Sequence, residues 1–215
     1  MASEALGRIG TVLTKLVDAV VLSTVWLVCC MPIVTAGVSS TALYYAVHKS
    51  LVRNRGYILK SFWHGLKTNL KQSTISWLIQ LAVMIVLCFD IRIMRGIAEM
   101  STVYATLLYF FYVLVVLMIV WMFYTFAYQA RFENTIKNSL KNAAAIAFLN
   151  LPWSFLMVVF LAVTVLTIIV VPVFIFLMPA VLFWVYDLIL ERVFRKYMTP
   201  EDLEREKEND MIDKE

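Results

Sequence analysis

From Ala143 to Tyr186 the chain runs 44 residues without a formal charge, and this stretch limits the possible folds more than any other feature. A helix needs about 20 apolar residues to cross the roughly 30 Å hydrocarbon core of a bilayer, so the run is too long for one crossing and suits two. Shorter runs of the same kind occupy Ala19 to Val47, Gln72 to Phe89 and Met100 to Ala130. Across the 215 residues, 62% are apolar and 16% charged, outside the soluble range of about 45–50% and about 25%. The expectation is an all-α polytopic membrane protein that solvates its surface with lipid.

Five spans follow, at about 17–38, 72–90, 103–128, 147–170 and 173–192, in a single membrane domain covering residues 1–198. Pro32 and Gly37 mark the end of the first, and Pro172 starts the reversal between the last two, because proline cannot continue a helix. Residues 199–215 form a charged tail, in which Glu201 to Glu215 holds eight acids against three bases. The positive-inside rule orients the set, since cytoplasmic loops retain Lys and Arg. With five spans, alternate segments hold fifteen bases against four, which predicts the N-terminus outside and the C-terminus in the cytoplasm. Basic charge placed between apolar spans reads as lipid orientation, and no nucleic-acid partner is expected.

The first cytoplasmic loop, His48 to Lys71, contains no acid. Within it Ile58, Leu59, Phe62, Trp63, Leu66 and Leu70 share one helical face, and Lys60, His64, Lys67 and Lys71 another. This predicts an amphipathic interfacial helix between spans 1 and 2, its lysines on anionic headgroups. Lys60, Trp63, His64, Lys67 and Lys71 are therefore the candidate residues for docking a membrane surface or a partner. Gln80 and Asn150 are the candidate polar residues within spans, where an amide is retained mainly for interhelical hydrogen bonding.

No Gly-rich phosphate loop, Ser nucleophile elbow or His-Glu-x-x-His pattern occurs. His48 and His64 have no carboxylate in their own loop to orient them, and Cys29, Cys30 and Cys88 form no ligand pair. No residue is thus assigned to catalysis, to a cofactor or to a metal, and the reading is non-enzymatic. The scarcity of charge within the spans also argues against ion-coupled transport.

Met31-Pro32-Ile33-Val34-Thr35-Ala36-Gly37, then Ala42-Leu43-Tyr44-Tyr45, Phe62, Asn69-Leu70-Lys71-Gln72 and Trp77-Leu78-Ile79 resemble the YesL-like family. The ending Glu191-Arg192-Val193-Phe194-Arg195-Lys196-Tyr197 is similar too, with Glu191 where that family usually carries asparagine. These are small Firmicute membrane proteins with a domain of unknown function, often encoded beside carbohydrate-uptake genes. The resemblance implies a multi-pass protein of the bacterial plasma membrane and brings no catalytic residues. A fainter similarity links Glu133, Leu149, Leu151 and Pro152 to the loop by which permease subunits of ABC-type sugar importers dock their ATPase. Asn134, Thr135 and Ser139 replace that motif's alanines and glycine. The expected function is an accessory or scaffold protein linked to carbohydrate uptake, with the bilayer and an importer as partners. The alternative is a transporter, channel or permease-like subunit for a small neutral solute such as a sugar.

Overall fold

The computed structural model describes residues 2–198 together with Glu204, so the expected tail at 199–215 lies almost wholly outside the described residues. Seven α-helices account for nearly all of what is described: α1 (Ala2–Cys30), α2 (Ala36–Ala46), α3 (Ile58–Ile97), α4 (Thr102–Arg131), α5 (Ile136–Leu149), α6 (Leu151–Val170) and α7 (Met178–Phe194). A π-helical segment, Val47–Val52, continues α2 directly.

Among the described residues four helices are long and apolar enough to cross a membrane, in α1 (Val12–Cys30), α3, α4 and α6. Only 11% of the most apolar stretch in each of α3, α4 and α6 is buried, so their side chains face outward as lipid-solvated helices require. The expected fifth span corresponds to α7, which has only 17 residues and carries Asp187, Glu191 and Arg192 in its second half.

α1 stops where Pro32 takes an extended conformation, and the chain turns back within Met31 to Thr35. Carbonyls freed at such a turn need donors, above all in hydrocarbon. Thr35 Oγ1 lies 2.6 Å from the Cys29 carbonyl, Ser39 Oγ donates to the same oxygen, and Trp77 Nε1 donates to the Ile33 carbonyl at 2.8 Å. The chain then returns along α1: Trp26 Nε1 donates to Ser40 Oγ across the pair. Beyond the expected end of the first span near Gly37, the uncharged run continues as α2, whose positions 37 to 44 are all buried.

α2 packs antiparallel to α3 at very short range. A Cβ on Gly37 would collide with the Trp77 side chain, and one on Gly65 would sit 3.1 Å from the Tyr45 ring. These two glycines, and the small Ser, Thr and Ala residues around them, let the backbones approach as in other membrane helix pairs. The chain enters α3 through a turn with Asn54 at φ 53° and Gly56 at φ 68°, left-handed conformations that Asn and Gly adopt most readily.

The amphipathic helix expected between spans 1 and 2 is not a separate element. It forms the opening turns of α3, a continuous helix of 40 residues and about 60 Å. Its expected apolar face divides, because α2 covers part of it: Phe62 is buried, whereas Leu59, Trp63 and Leu70 are exposed. α4 returns along α3 through a polar stripe, with Gln80 Nε2 donating to Thr125 Oγ1, Ser73 Oγ to Gln129 Oε1, and Gln129 Nε2 to Ser76 Oγ.

The helix directions bring the start of α1 and the end of α7 to one face. α2 and α7 run parallel, with Tyr44 against Phe183 and His48 against Asp187. α1 runs against both: Ser23 Oγ accepts from the Ala180 amide at the start of α7, and α1 also reaches the π segment near the end of α7. The N-terminal end of α1 therefore shares a face with the C-terminal ends of α2, α4 and α7. α2 folds the chain back along α1 within the first uncharged run, a reversal that the five-span expectation does not contain. Among the described residues, the Lys and Arg other than Arg92 and Arg95 belong to segments at that one face.

Candidate functional site

A cluster of ionisable side chains is buried at this basic face, where the ends of α2, α4 and α7 meet. Residues four apart on a helix lie on one side of it. Tyr44 and His48 make such a pair on α2 and the π segment, and Phe183, Asp187 and Glu191 a matching ladder on α7. His48 is 6% exposed and Asp187 1%. His48 Nδ1 lies 2.7 Å from Asp187 Oδ1 and 3.7 Å from Glu191 Oε1. With Asp187 as a carboxylate, which can only accept, this bond requires the Nδ1–H tautomer of His48. Tyr44 stacks its ring parallel to the imidazole, at 6.3 Å between centroids and 3° between planes.

Two arginines balance the acids. Arg131, from the last turn of α4, donates from Nε to Glu191 Oε1 at 2.6 Å and from its terminal nitrogen to Oε2 at 3.2 Å, a two-pronged bond that fixes the carboxylate plane. Arg53 approaches Oε2 at 3.9 Å. Burying such charges is costly unless each is paired, and the pairing here is incomplete. Tyr44 Oη, His48 Nε2 and Asp187 Oδ2 are all buried with no hydrogen-bond partner. His48, Asp187 and Glu191 each direct one ligand atom into a space where these atoms lie within 4.8 Å of one another, a set able to hold a cation.

A second feature is a cavity of about 530 Å³ between α1, α2, α3, α4, α6 and α7. Its walls include Trp26, Trp77, Phe126, Leu161 and Phe183, and its only hydroxyls are Ser40 and Thr164. The Ser40 hydroxyl already bonds the Ala36 carbonyl and the Trp26 indole. A sugar needs several converging polar groups, and this wall suits hydrocarbon instead.

The residues singled out from sequence lie apart from the buried cluster. Lys60, Trp63, His64, Lys67 and Lys71 are all exposed on the first turns of α3, with His64 against the Tyr45 ring. Gln80 is fully buried at the α3 to α4 contact. Asn150 sits at the junction of α5 and α6, bonding the Ile146 carbonyl and the Tyr197 hydroxyl. Glu133 is exposed in the link from α4 to α5, and Leu151 and Pro152 are exposed at the start of α6, with all of α5 between them.

Sequence reasoning missed the cluster because His48 was paired only with its own loop, and its carboxylates lie 139 and 143 residues further on. A signal was present: Asp187 and Glu191 recur at i and i+4 immediately after the 44-residue uncharged run.

Residues 19–91 match the family described as "Protein of unknown function, DUF624". The matched segment contains Tyr44, His48 and Arg53 but none of the partners on α4 and α7. No curated protein and no solved structure matches the chain.

Proposed function

We propose that this chain is a non-enzymatic accessory or scaffold protein of a bacterial plasma membrane, with both termini in the cytoplasm, that docks a partner on its basic inner face. The observation that carries the reading is the charge asymmetry: among the described Lys and Arg, Arg92 and Arg95 alone belong to segments at the opposite face. Such a bias orients a chain with its basic face inward. α3 is about twice as long as a bilayer core requires, so its opening turns extend to the headgroups and beyond, carrying Lys60, Lys67 and Lys71 exposed. Lysines with Trp63 beside them suit anionic headgroups or an acidic protein surface. The resemblance noted from sequence supports an importer of the ABC type as that partner, and carbohydrate uptake as the process.

The apolar cavity gives the alternative, a path for a small neutral solute, no support. Two measurements test the reading. With Cys29, Cys30 and Cys88 replaced by serine, labelling of a cysteine introduced at Arg8, ahead of the Val12–Cys30 span, is expected from the cytoplasmic side only, and labelling from outside intact cells would refute the topology. A photo-crosslinker placed at Lys67 should capture an importer subunit, and Lys60→Glu/Lys67→Glu/Lys71→Glu should abolish that product. Capture of lipid alone, unchanged by the triple substitution, would remove the scaffold reading.

A further inference from the structure

We propose that His48, Asp187 and Glu191 form a binding site for one divalent transition-metal ion of the Zn²⁺ class, closing the inner ends of α2 and α7. Three donor atoms, one imidazole nitrogen and two carboxylate oxygens, converge within 4.8 Å of one another. This donor set suits Zn²⁺ and its neighbours better than Mg²⁺ or Ca²⁺, which favour oxygen alone. The second observation is independent of that convergence. Among the described residues four buried side-chain polar atoms lack a partner, and three of them, Tyr44 Oη, His48 Nε2 and Asp187 Oδ2, belong to this cluster. Buried polar atoms are nearly always satisfied by protein, water or an ion. One of the three, Oδ2, belongs to the Asp187 carboxylate, an anionic side chain that is 1% exposed, and a cation held by that carboxylate would neutralise it.

Little movement is needed. The ion takes the place of the proton between His48 Nδ1 and Asp187 Oδ1, now 2.7 Å apart, and that proton leaves to solvent. With bonds of about 2.0–2.2 Å the two ligand atoms separate to about 3 Å or slightly more. Glu191 Oε1, 3.7 Å from Nδ1, completes the set by releasing Arg131 Nε, while Oε2 keeps the other prong of the guanidinium. A carboxylate has lone pairs enough for both. Arg131 thus weakens the site it borders, because its charge opposes the ion across a shared carboxylate. The location of the three donors also gives the ion a role: it ties the π segment to α7 at the inner face.

The test uses the full chain in lipid nanodiscs, stripped with chelator, dialysed and titrated with Zn²⁺. One ion per chain is expected, and X-ray absorption of the loaded wild-type protein should show nitrogen and oxygen neighbours at about 2.0–2.2 Å. His48→Ala and Asp187→Asn should each weaken binding by more than the roughly 10–100-fold typical of a lost outer partner. Arg131→Gln should tighten it, the reverse of what a purely structural role predicts. Failure of the wild type to retain stoichiometric Zn²⁺ overturns the proposal. So does a sulfur shell near 2.3 Å, which would place the ion on Cys29, Cys30 or Cys88, and so does unchanged binding in folded His48→Ala. The absorption measurement needs no variant, so a substitution that prevents folding does not spare the proposal.

Discussion

The tip of the α3 to α4 hairpin and helix α2 are both helical, yet they are held in opposite ways. Along α3 no residue after Gln80 is buried, and along α4 none before Met118, so the two helices leave the bundle and touch chiefly each other. Arg95 Nε donating to Tyr112 Oη at 2.6 Å is a polar link between them there. In α2, by contrast, every residue from Gly37 to Tyr44 is buried, four of them Gly, Ser or Thr. Lipid is as apolar as leucine, so an apolar surface gains nothing by leaving it for another apolar surface. Helices with large apolar residues therefore stay in lipid, and small or polar residues mark where helices associate.

The comparison predicts that damage scales with the polar and small residues of the inner bundle. The largest effect belongs to the Glu191 pair. Arg131→Ala leaves a carboxylate that is 14% exposed without its main partner, and breaking such a pair costs about 3–5 kcal/mol. Thermal unfolding in detergent should fall steeply, and Arg131→Met combined with Glu191→Leu should recover most of the loss. A single substitution as damaging as the double one would show that packing, not charge, holds this corner.

Gly37→Leu comes next. The added side chain must enter space filled by Trp77, and overpacking of this kind costs about 1–3 kcal/mol. Trp77 would also lose its bond to the Ile33 carbonyl, so fluorescence of the protein should shift along with its melting temperature. Gln129→Ala is smaller. It removes bonds to Ser73 and Ser76, and interhelical bonds in membranes average about 0.6 kcal/mol with a ceiling near 1.7.

The same contrast decides how much of the structure could be read in the sequence. Helices α3, α4 and α6 were legible because their lipid-facing surfaces are a statement about hydropathy alone, and the unbroken run at Ala143 to Tyr186 located the last hairpin. α2 was not legible, because Ala36-Gly37-Val38-Ser39-Ser40-Thr41 looks like the tail of a span or the start of a loop. Its burial comes from the fit of Gly37 to Trp77 and of Tyr45 to Gly65 on α3, pairs 40 and 20 residues apart in the chain. For the cluster, the residue types stood in plain view but their pairing depended on α2 running parallel to α7. His48 could be matched with Asp187 only after that direction was known.

The smallest effect is the one that most directly tests whether the hairpin tip stands alone in lipid. Val86 is 58% exposed and Val38 fully buried, so trimming each to alanine removes the same two methyl groups from opposite surroundings. At Val38 the loss leaves a gap against neighbouring side chains, which costs about 1 kcal/mol or more. At Val86 lipid closes over the smaller side chain in the folded and the dissociated state alike, so the difference should stay within about 0.5 kcal/mol. Unfolding in nanodiscs measures both. Equal losses would mean that the tip is covered by another chain in the membrane, and residues 81–117 would then be an interface between proteins.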